Sequence, residues 1–150
     1  MPASVRRTGK GAIGALLCGL AQALLAACAF GPDDPRAGLS CVDDSQDCLR
    51  QRQVTLKSYL ADSDRAWIKE PATPQAHASG VRLFAFRSRK KDLSCEELAQ
   101  GRREAEAAAK VLRGPEGKTF SPGLIARATL LAAEVGKELG AEMRARRCKT

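Results

Sequence analysis

The chain is poor in the side chains that carry most catalysis and anchor large cores, with one histidine, one tryptophan, one tyrosine and four phenylalanines. A histidine-based metal site or a Ser-His-Asp triad would depend on His77 alone, which lies beside alanines. We therefore expect no catalytic role for His77. The scarce aromatics Trp67, Phe84 and Phe86 are expected in the interior, with anchoring of a partner protein as the alternative.

Motifs that define common enzyme and cofactor classes are absent from the sequence. Without a C-x-x-C pair, neither a thioredoxin-like redox site nor a haem attachment site is predicted. Gly114 and Gly117 lack the G-x-x-x-x-G-K-[ST] spacing of a phosphate-binding loop, although Lys118 and Thr119 follow them. Adjacent carboxylates such as Glu96 and Glu97 diverge by about 100° on a helix, so they do not face each other as a glycosidase pair must. The sequence predicts a protein that is not an enzyme and binds no cofactor or metal.

The sequence also lacks an apolar run long enough for a permanent membrane-spanning helix, which needs roughly 20 residues. Its longest such run, Ala12 to Ala27, has about 16 residues and is interrupted by two glycines and a glutamine. Three basic residues precede it and small residues end it, which is the three-part pattern of a secretion signal. An uncleaved anchor helix is the alternative.

The four residues Leu25-Ala26-Ala27-Cys28 resemble the lipobox of bacterial lipoproteins. The resemblance implies removal of residues 1–27 as a signal peptide, a diacylglyceryl group on the Cys28 thiol and an acyl chain on its amine. Several acyl chains at one point hold a protein stably, whereas a single chain does so only marginally. Ala29 stands where an aspartate often retains lipoproteins at the inner membrane, so the resemblance implies the inner leaflet of the outer membrane and a domain facing the periplasm.

The remaining chain divides into a tether and a domain. Residues 28–40, rich in proline and glycine, are predicted to be a flexible tether behind the lipidated cysteine, and residues 41–150 to form the folded domain. The net charge of +8 includes three positive charges of the leader, so the mature protein is moderately basic. Such a charge favours anionic lipid, cell-wall polymer or an acidic envelope protein as partner. Nucleic acid is not expected for an exported chain.

Helical signals dominate the domain. Residues 43–60 repeat leucines at helical spacing after aspartates that suit a helix N-terminus, and residues 64–69 form a short second segment that prolines then end. The segment 75–91 is ambiguous, because residues 81–87 fit either a half-buried strand or a helix with an aromatic face. No second strand is evident to satisfy its backbone groups, so a helix is favoured.

Two further helices are indicated by their caps. Ser94 and Glu97 match a capping box that opens a helix running to about Arg113. Ser121-Pro122 opens a last helix, antiparallel to the one before it, with the clearest apolar stripe in the chain. The stripe consists of Leu124, Ala128, Leu131, Val135, Leu139 and Met143. The predicted fold is all-α, a small up-down bundle of about four helices.

Four cysteines, Cys41, Cys48, Cys95 and Cys148, remain in the domain, and an even number in an exported chain predicts two disulfides. A zinc site is the alternative use, although its tight cysteine pairs are missing. Helices that alternate in direction would bring all four cysteines to one end of the bundle. Matching their overhangs there favours Cys41 with Cys148 and Cys48 with Cys95, one of three possible connectivities.

The same alternation predicts a basic surface at the cysteine end, near the lipid tether. Its predicted members are Arg87, Arg89, Lys90, Lys91, Arg144, Arg146 and Arg147. Such cations can face an anionic leaflet, but complementing helix C-termini and pairing with nearby carboxylates are alternatives. The sequence thus predicts a non-catalytic envelope lipoprotein acting as an adaptor or structural component. A binding module for anionic lipid or cell-wall polymer is the alternative function.

Overall fold

A computed structural model describes residues 34–149 and shows an all-α protein, as predicted from the sequence. Its α-helices are α1 (Ala37–Ser40), α2 (Gln46–Ala61), α3 (Pro74–Ser79), α4 (Val81–Arg89), α5 (Cys95–Arg113) and α6 (Pro122–Ala145). Two 3-10 turns, Ala66–Lys69 and Pro115–Thr119, lie between them. No strand occurs in this part of the chain, and none of its helices is long and apolar enough to cross a membrane.

Side-chain caps begin α5 and α6 where the sequence predicts them, whereas α2 begins at Gln46 and not near residue 43. The capping box of α5 is complete, since the Glu97 N–H donates to the Ser94 hydroxyl at 3.2 Å and the Glu97 carboxylate accepts from the Ser94 N–H at 2.7 Å. The hydroxyl of Ser121 accepts from the Leu124 N–H at the start of α6, and the hydroxyl of Ser45 caps α2 in the same way. Local chemistry therefore fixes the helix starts.

The ambiguous segment 75–91 is helical, as favoured, but it consists of two helices. Gly80 separates α3 from α4 with a φ of 71°, a backbone conformation that glycine adopts without strain. A Cβ at Gly80 would also lie 2.7 Å from the side chain of Leu131. Beyond this break, Phe86 is completely buried. The predicted burial of Phe84 is wrong, because 42% of its surface is exposed.

Helices α4, α5 and α6 follow the predicted up-down order. The disulfide between Cys95 and Cys148 joins the start of α5 to the residues just after α6, which makes these helices antiparallel. Arg87 pairs with Glu134, and Lys91, just after α4, pairs with Glu142, eight residues further along α6, so α4 runs parallel to α6. The three helices enclose the larger part of the core.

Helix α2 departs from the alternation and runs in the same direction as α4. Asp44, before α2, pairs with Arg127 near the start of α6 at 2.9 Å. The carbonyl of Leu60, at the end of α2, accepts a hydrogen bond from the Arg89 guanidinium at the end of α4. Residues 62–73 return the chain from the end of α2 to α3. This return is irregular, whereas the predicted alternation requires a helix that runs opposite to α2.

The core is built around a small aromatic cluster. Tyr59 and Trp67 stack with ring centroids 4.9 Å apart, and Phe86 meets Trp67 edge-on at 4.8 Å. The burial predicted for Trp67 and Phe86 is confirmed. The stripe of α6 faces this core as predicted, with Leu131 half-buried and its other members buried. Gly101 allows α5 to approach, since a Cβ there would lie 2.6 Å from the Phe86 ring and 2.9 Å from Leu139.

The folded part begins earlier than the predicted boundary at residue 41. Helix α1 lies within residues 28–40, which were predicted to be a flexible tether, so the prediction is wrong for residues 37–40. The buried N–H of Gly38 donates to the Thr55 hydroxyl at 3.0 Å, and Leu39 packs against the core. Gly38, one of the residues that indicated a loop, instead allows α1 to contact α2 closely, because a Cβ at Gly38 would lie 2.5 Å from the Gln51 carbonyl oxygen.

Candidate functional site

The predicted lipidation site, Cys28, and the leader 1–27 lie outside the described residues. The described chain starts beside the last turn of α2. There the Arg36 guanidinium pairs at 2.6 Å with Glu70, which lies in the irregular segment after α2. Pro35 and Arg36 line a cavity of about 180 Å³ together with Asp62, which follows α2. The chain therefore arrives near the end of α2, on the side that also carries the end of α4.

The predicted disulfide connectivity is wrong. The structure joins Cys41 to Cys48, with Cα atoms 5.1 Å apart, and Cys95 to Cys148, with Cα atoms 5.5 Å apart. The prediction assumed that α2 runs opposite to α4, which would place all four cysteines at one end. Because the two helices are parallel, Cys48 lies at the end where α6 begins, while Cys95 and Cys148 lie where α6 ends.

The predicted basic surface is largely neutralised within the bundle. Three of the predicted cations form ion pairs with carboxylates of α6. They are Arg87, in α4, and Lys90 and Lys91, just after it, and their partners are Glu134, Glu138 and Glu142. The ion pair with Lys90 and the nearby Arg87 hold the pKa of Glu138 below its usual value. These residues join α4 to α6 and do not form a free cationic patch; ion pairing was considered as an alternative, but carboxylates of α6 were not foreseen as the partners.

Two more predicted members of this surface also have internal partners. The Arg89 guanidinium donates to the Leu60 carbonyl at 2.7 Å and lies 3.5 Å from the Asp92 carboxylate. Arg146 donates to the Leu93 carbonyl at 2.5 Å. The Leu60 carbonyl lies at the C-terminal end of α2, so Arg89 has the helix-terminus role considered as an alternative, whereas Leu93 lies in the turn before α5.

Arg144 and Arg147 are exposed, and neither forms an ion pair within the described residues. Arg147 has a φ of 55°, in the left-handed region that favours glycine. It follows the last turn of α6, where the Cys148 N–H donates to the Met143 carbonyl at 2.9 Å, the hydrogen bond of a Schellman end. An arginine therefore occupies a position where glycine is the less strained residue.

His77 is buried in α3 and does not line an open cleft. Burial lowers the pKa of His77, and the charge of Glu104 only partly opposes this effect. Its Nδ1 atom has no hydrogen-bond partner within the described residues. Burial therefore favours the neutral imidazole, and no cluster of metal-ligating side chains is found among residues 34–149.

A buried ion pair between Arg82 and Glu104 lies beside His77 and was not foreseen. Two parallel hydrogen bonds of 2.7 and 2.6 Å join the guanidinium to the carboxylate, and both side chains are at least 96% buried. Arg82 also donates to the carbonyls of Trp67 and Glu70 and lies 5.6 Å from the centre of the Trp67 ring. The available signal was one arginine within the apolar segment 81–86.

These contacts make the buried pair a structural hub. Its hydrogen bonds tie α4 and α5 to the irregular segment that returns from α2. The guanidinium and carboxylate satisfy each other, as buried charges require. They leave no open polar pocket in which a substrate could reach them.

An open groove of about 600 Å³ runs along α6, and we call it the α6 groove. Its lining residues are Arg113, Pro122, Ile125, Ala126, Thr129, Leu130 and Ala133. Most of these side chains are apolar or small, and Leu130 is 63% exposed. The apolar stripe used in the sequence analysis describes only the core-facing side of α6, so this groove was not predicted.

In comparisons with known proteins, no family model, curated protein or solved structure matches the chain.

Proposed function

We propose that this chain is a lipid-anchored envelope protein that faces the periplasm and acts without catalysis, as an adaptor or structural component. The lipid on Cys28 supplies the membrane attachment, and residues from 34 onward supply a folded module. The proposal places the protein on the inner leaflet of the outer membrane, on the basis of Ala29.

The observation that carries this proposal is the contrast between the polar interior and the apolar hollow. The buried charges of Arg82 and Glu104 bind each other, and His77 is buried and neutral. A cavity of about 180 Å³ does bring polar side chains together, but two of them, Arg36 and Glu70, form an ion pair with each other. The α6 groove instead has an apolar lining, which suits contact with another protein.

The experiment that tests the proposal is crosslinking in living cells, followed by purification of the lipidated protein and mass spectrometry of the molecules that accompany it. A recurrent protein partner in fixed stoichiometry supports the adaptor function. Recovery of the protein with only lipid or cell-wall material contradicts it.

Arg144 and Arg147 favour a second proposal, binding of anionic lipid or cell-wall polymer. Both are exposed on the side of the bundle where the end of α4 lies, and Arg147 adopts a left-handed backbone conformation in which glycine would be less strained. The test is binding of the purified lipidated protein, in uncharged detergent, to peptidoglycan sacculi and to anionic-lipid beads. Loss of binding on replacing Arg144 and Arg147 with glutamine supports this second function, and unchanged binding contradicts it.

A further inference from the structure

One line of exposed positions on α6 lacks the mixed charges that usually cover an exposed helix face, although Arg127 and Glu134 are exposed beside it. The line, with positions three or four residues apart, consists of Gly123, Ala126, Leu130, Ala133, Lys137, Ala141 and Arg144. It contains two cations and no carboxylate. Among the large apolar residues of the described chain, Leu130 has the greatest exposure, 63%, against 42% for Phe84 and 37% for Leu49.

The α6 groove is a shallow trough whose floor on α6 includes the small residues Ala126 and Ala133. Beyond Ala133, α5 and α6 pack closely together: a Cβ at Gly136 would lie 3.5 Å from the Cβ of Ala105, and Gly140 is buried, with Arg144 Nη1 3.5 Å from where its Cβ would be. A third helix can approach closely where the floor is alanine, since the distance between helix axes depends on side-chain size.

Cations border this trough. Arg113 lines the groove on the α5 side, and Lys137 and Arg144 follow Leu130 and Ala133 along α6. None of these three forms an ion pair within the described residues. Glu106 is the carboxylate next to Arg102 on α5, and the two are already joined at 3.0 Å. The trough therefore presents an apolar floor with an uncompensated positive border.

We propose that the α6 groove binds one amphipathic helix of a partner protein. The inner face of that helix carries small and apolar residues, and its flanks carry aspartate or glutamate opposite Arg113 and Lys137. Such a helix buries Leu130 in the way that helix-in-groove complexes bury their apolar anchors. This inference deepens the adaptor function proposed above and rests on it.

A second copy of this chain is a poorer occupant. Two α6 grooves related by a two-fold axis would set two positive borders against each other, and like charges across an interface oppose association. A membrane surface is also a poorer occupant, because a flat leaflet cannot enter a trough. The exposed alanines and glycines also offer little apolar area for insertion.

The test places a photo-crosslinking side chain at Leu130 in the full lipidated chain, in living cells. The matched control places it at Leu49, an exposed leucine on α2. The crosslinked product is digested, and the peptide attached at position 130 is sequenced. The same crosslink is then measured with Arg113→Glu and Lys137→Glu together, and in a control with the exposed cations Lys57 and Lys69 both changed to glutamate. Circular dichroism of each variant checks that the fold is retained.

The expected product joins position 130 to a helical peptide of another protein that carries carboxylates beside small apolar residues. Its yield falls by about fivefold or more with the Arg113 and Lys137 reversals, because two attractive contacts become repulsive, and it is unchanged with the control reversals. A crosslink to a second copy of this chain or to lipid overturns the proposal. A crosslink yield that is unchanged by the Arg113 and Lys137 reversals also overturns the proposal.

Failure of this inference is distinguishable from failure of the adaptor function. A protein partner that is captured at position 49 and not at position 130 leaves the adaptor function standing and removes the α6 groove as its site. Absence of any protein crosslink at both positions, together with no partner in the purification described above, contradicts both proposals.

Discussion

Arg82 and Glu104 form a bidentate ion pair that is almost completely buried, with its shorter hydrogen bond at 2.6 Å. The pair connects α4 to α5, and through two further hydrogen bonds Arg82 holds the carbonyls of Trp67 and Glu70. The pair therefore holds the irregular segment of residues 62–73 against the core. Helical periodicity in the sequence does not predict the position of this segment.

Removing one partner of this pair is expected to destabilise the fold strongly. Arg82→Met leaves the Glu104 carboxylate buried without its counter-charge, which should lower the free energy of unfolding by about 3–5 kcal/mol. Denaturant unfolding followed by circular dichroism measures the change. The double variant Arg82→Met, Glu104→Leu should lose less than the single variant, because no charge is left unpaired.

The control for this prediction is the exposed pair Arg102–Glu106, at 3.0 Å on the surface of α5. Arg102→Met should cost less than about 1 kcal/mol. Equal losses at the buried and the exposed pair would show that burial does not set the strength of the Arg82–Glu104 pair.

The two disulfides should differ in their contribution to stability. Cys95–Cys148 closes 53 residues and Cys41–Cys48 closes 7, so the chain-entropy model expects losses of about 4 and about 2.4 kcal/mol when each is replaced by a pair of serines. Thermal unfolding of the two double variants, compared with the parent protein, measures the order. A larger loss at Cys41–Cys48 would contradict this reasoning.

The connectivity itself is readable from one tryptic digest without reduction. Residues 37–50 contain no internal lysine or arginine, so Cys41 and Cys48 stay on one peptide with an internal disulfide. A second product should join the peptide of residues 92–102 to Cys148-Lys149. A product that joins all three peptides would contradict the observed pairing, since it requires bonds between the two ends of the bundle.

Stability should fall as the pH decreases from 7.5 to 5.5 because of His77. Burial lowers the pKa of His77 in the folded protein, so the unfolded chain takes up the proton first. The stabilising effect is complete above the ordinary histidine pKa, about 6.5, and is lost as the pH falls below it. The unfolding midpoint measured across this range should decrease for the parent protein.

His77→Gln is the matched control, because glutamine cannot take up this proton. Its midpoint should change less over the same range. The carboxyl groups whose pKa is lowered, such as Glu97 through its hydrogen bonds from Arg65 and Ser94, lose their contribution only at lower pH. An identical slope for the parent and the variant would assign the effect to another group.

Arg147→Gly is expected to stabilise the domain by about 1 kcal/mol, because glycine adopts the left-handed conformation after α6 without the strain of a side chain. Arg65→Gly is the comparison. Arg65 also has a positive φ, of 50°, but its guanidinium pairs with Glu97 at 2.7 Å. That variant should gain less, since it loses the ion pair. Denaturant unfolding that finds Arg147→Gly less stable than the parent would refute the prediction.

The parts of the fold that depend on neighbouring residues were predictable from the sequence. Ser94 with Glu97, and Ser121 with Pro122, determine where α5 and α6 begin through contacts within four residues. The apolar stripe of α6 likewise follows from helical spacing. Local hydrogen bonding and periodicity are sufficient for these features.

Features that depend on distant contacts were not predictable in the same way. The direction of α2 is set by contacts such as Asp44 with Arg127, 83 residues apart, and the disulfide prediction failed with the direction. The partner of Arg82 lies 22 residues away, so its burial could not be read from the local pattern. The α6 groove was missed because a core stripe says nothing about the opposite face of the helix.

The measurement that most directly tests the central claim, attachment of the protein to a membrane through Cys28, is the mass of the N-terminal tryptic peptide of the protein purified from cell membranes. The account predicts a peptide of residues 28–36 that begins at Cys28 and carries a diacylglyceryl group and an amide-linked acyl chain, and a Cys28→Ala variant that lacks both. An unmodified Cys28, or a mature chain that begins at another residue, would contradict the account.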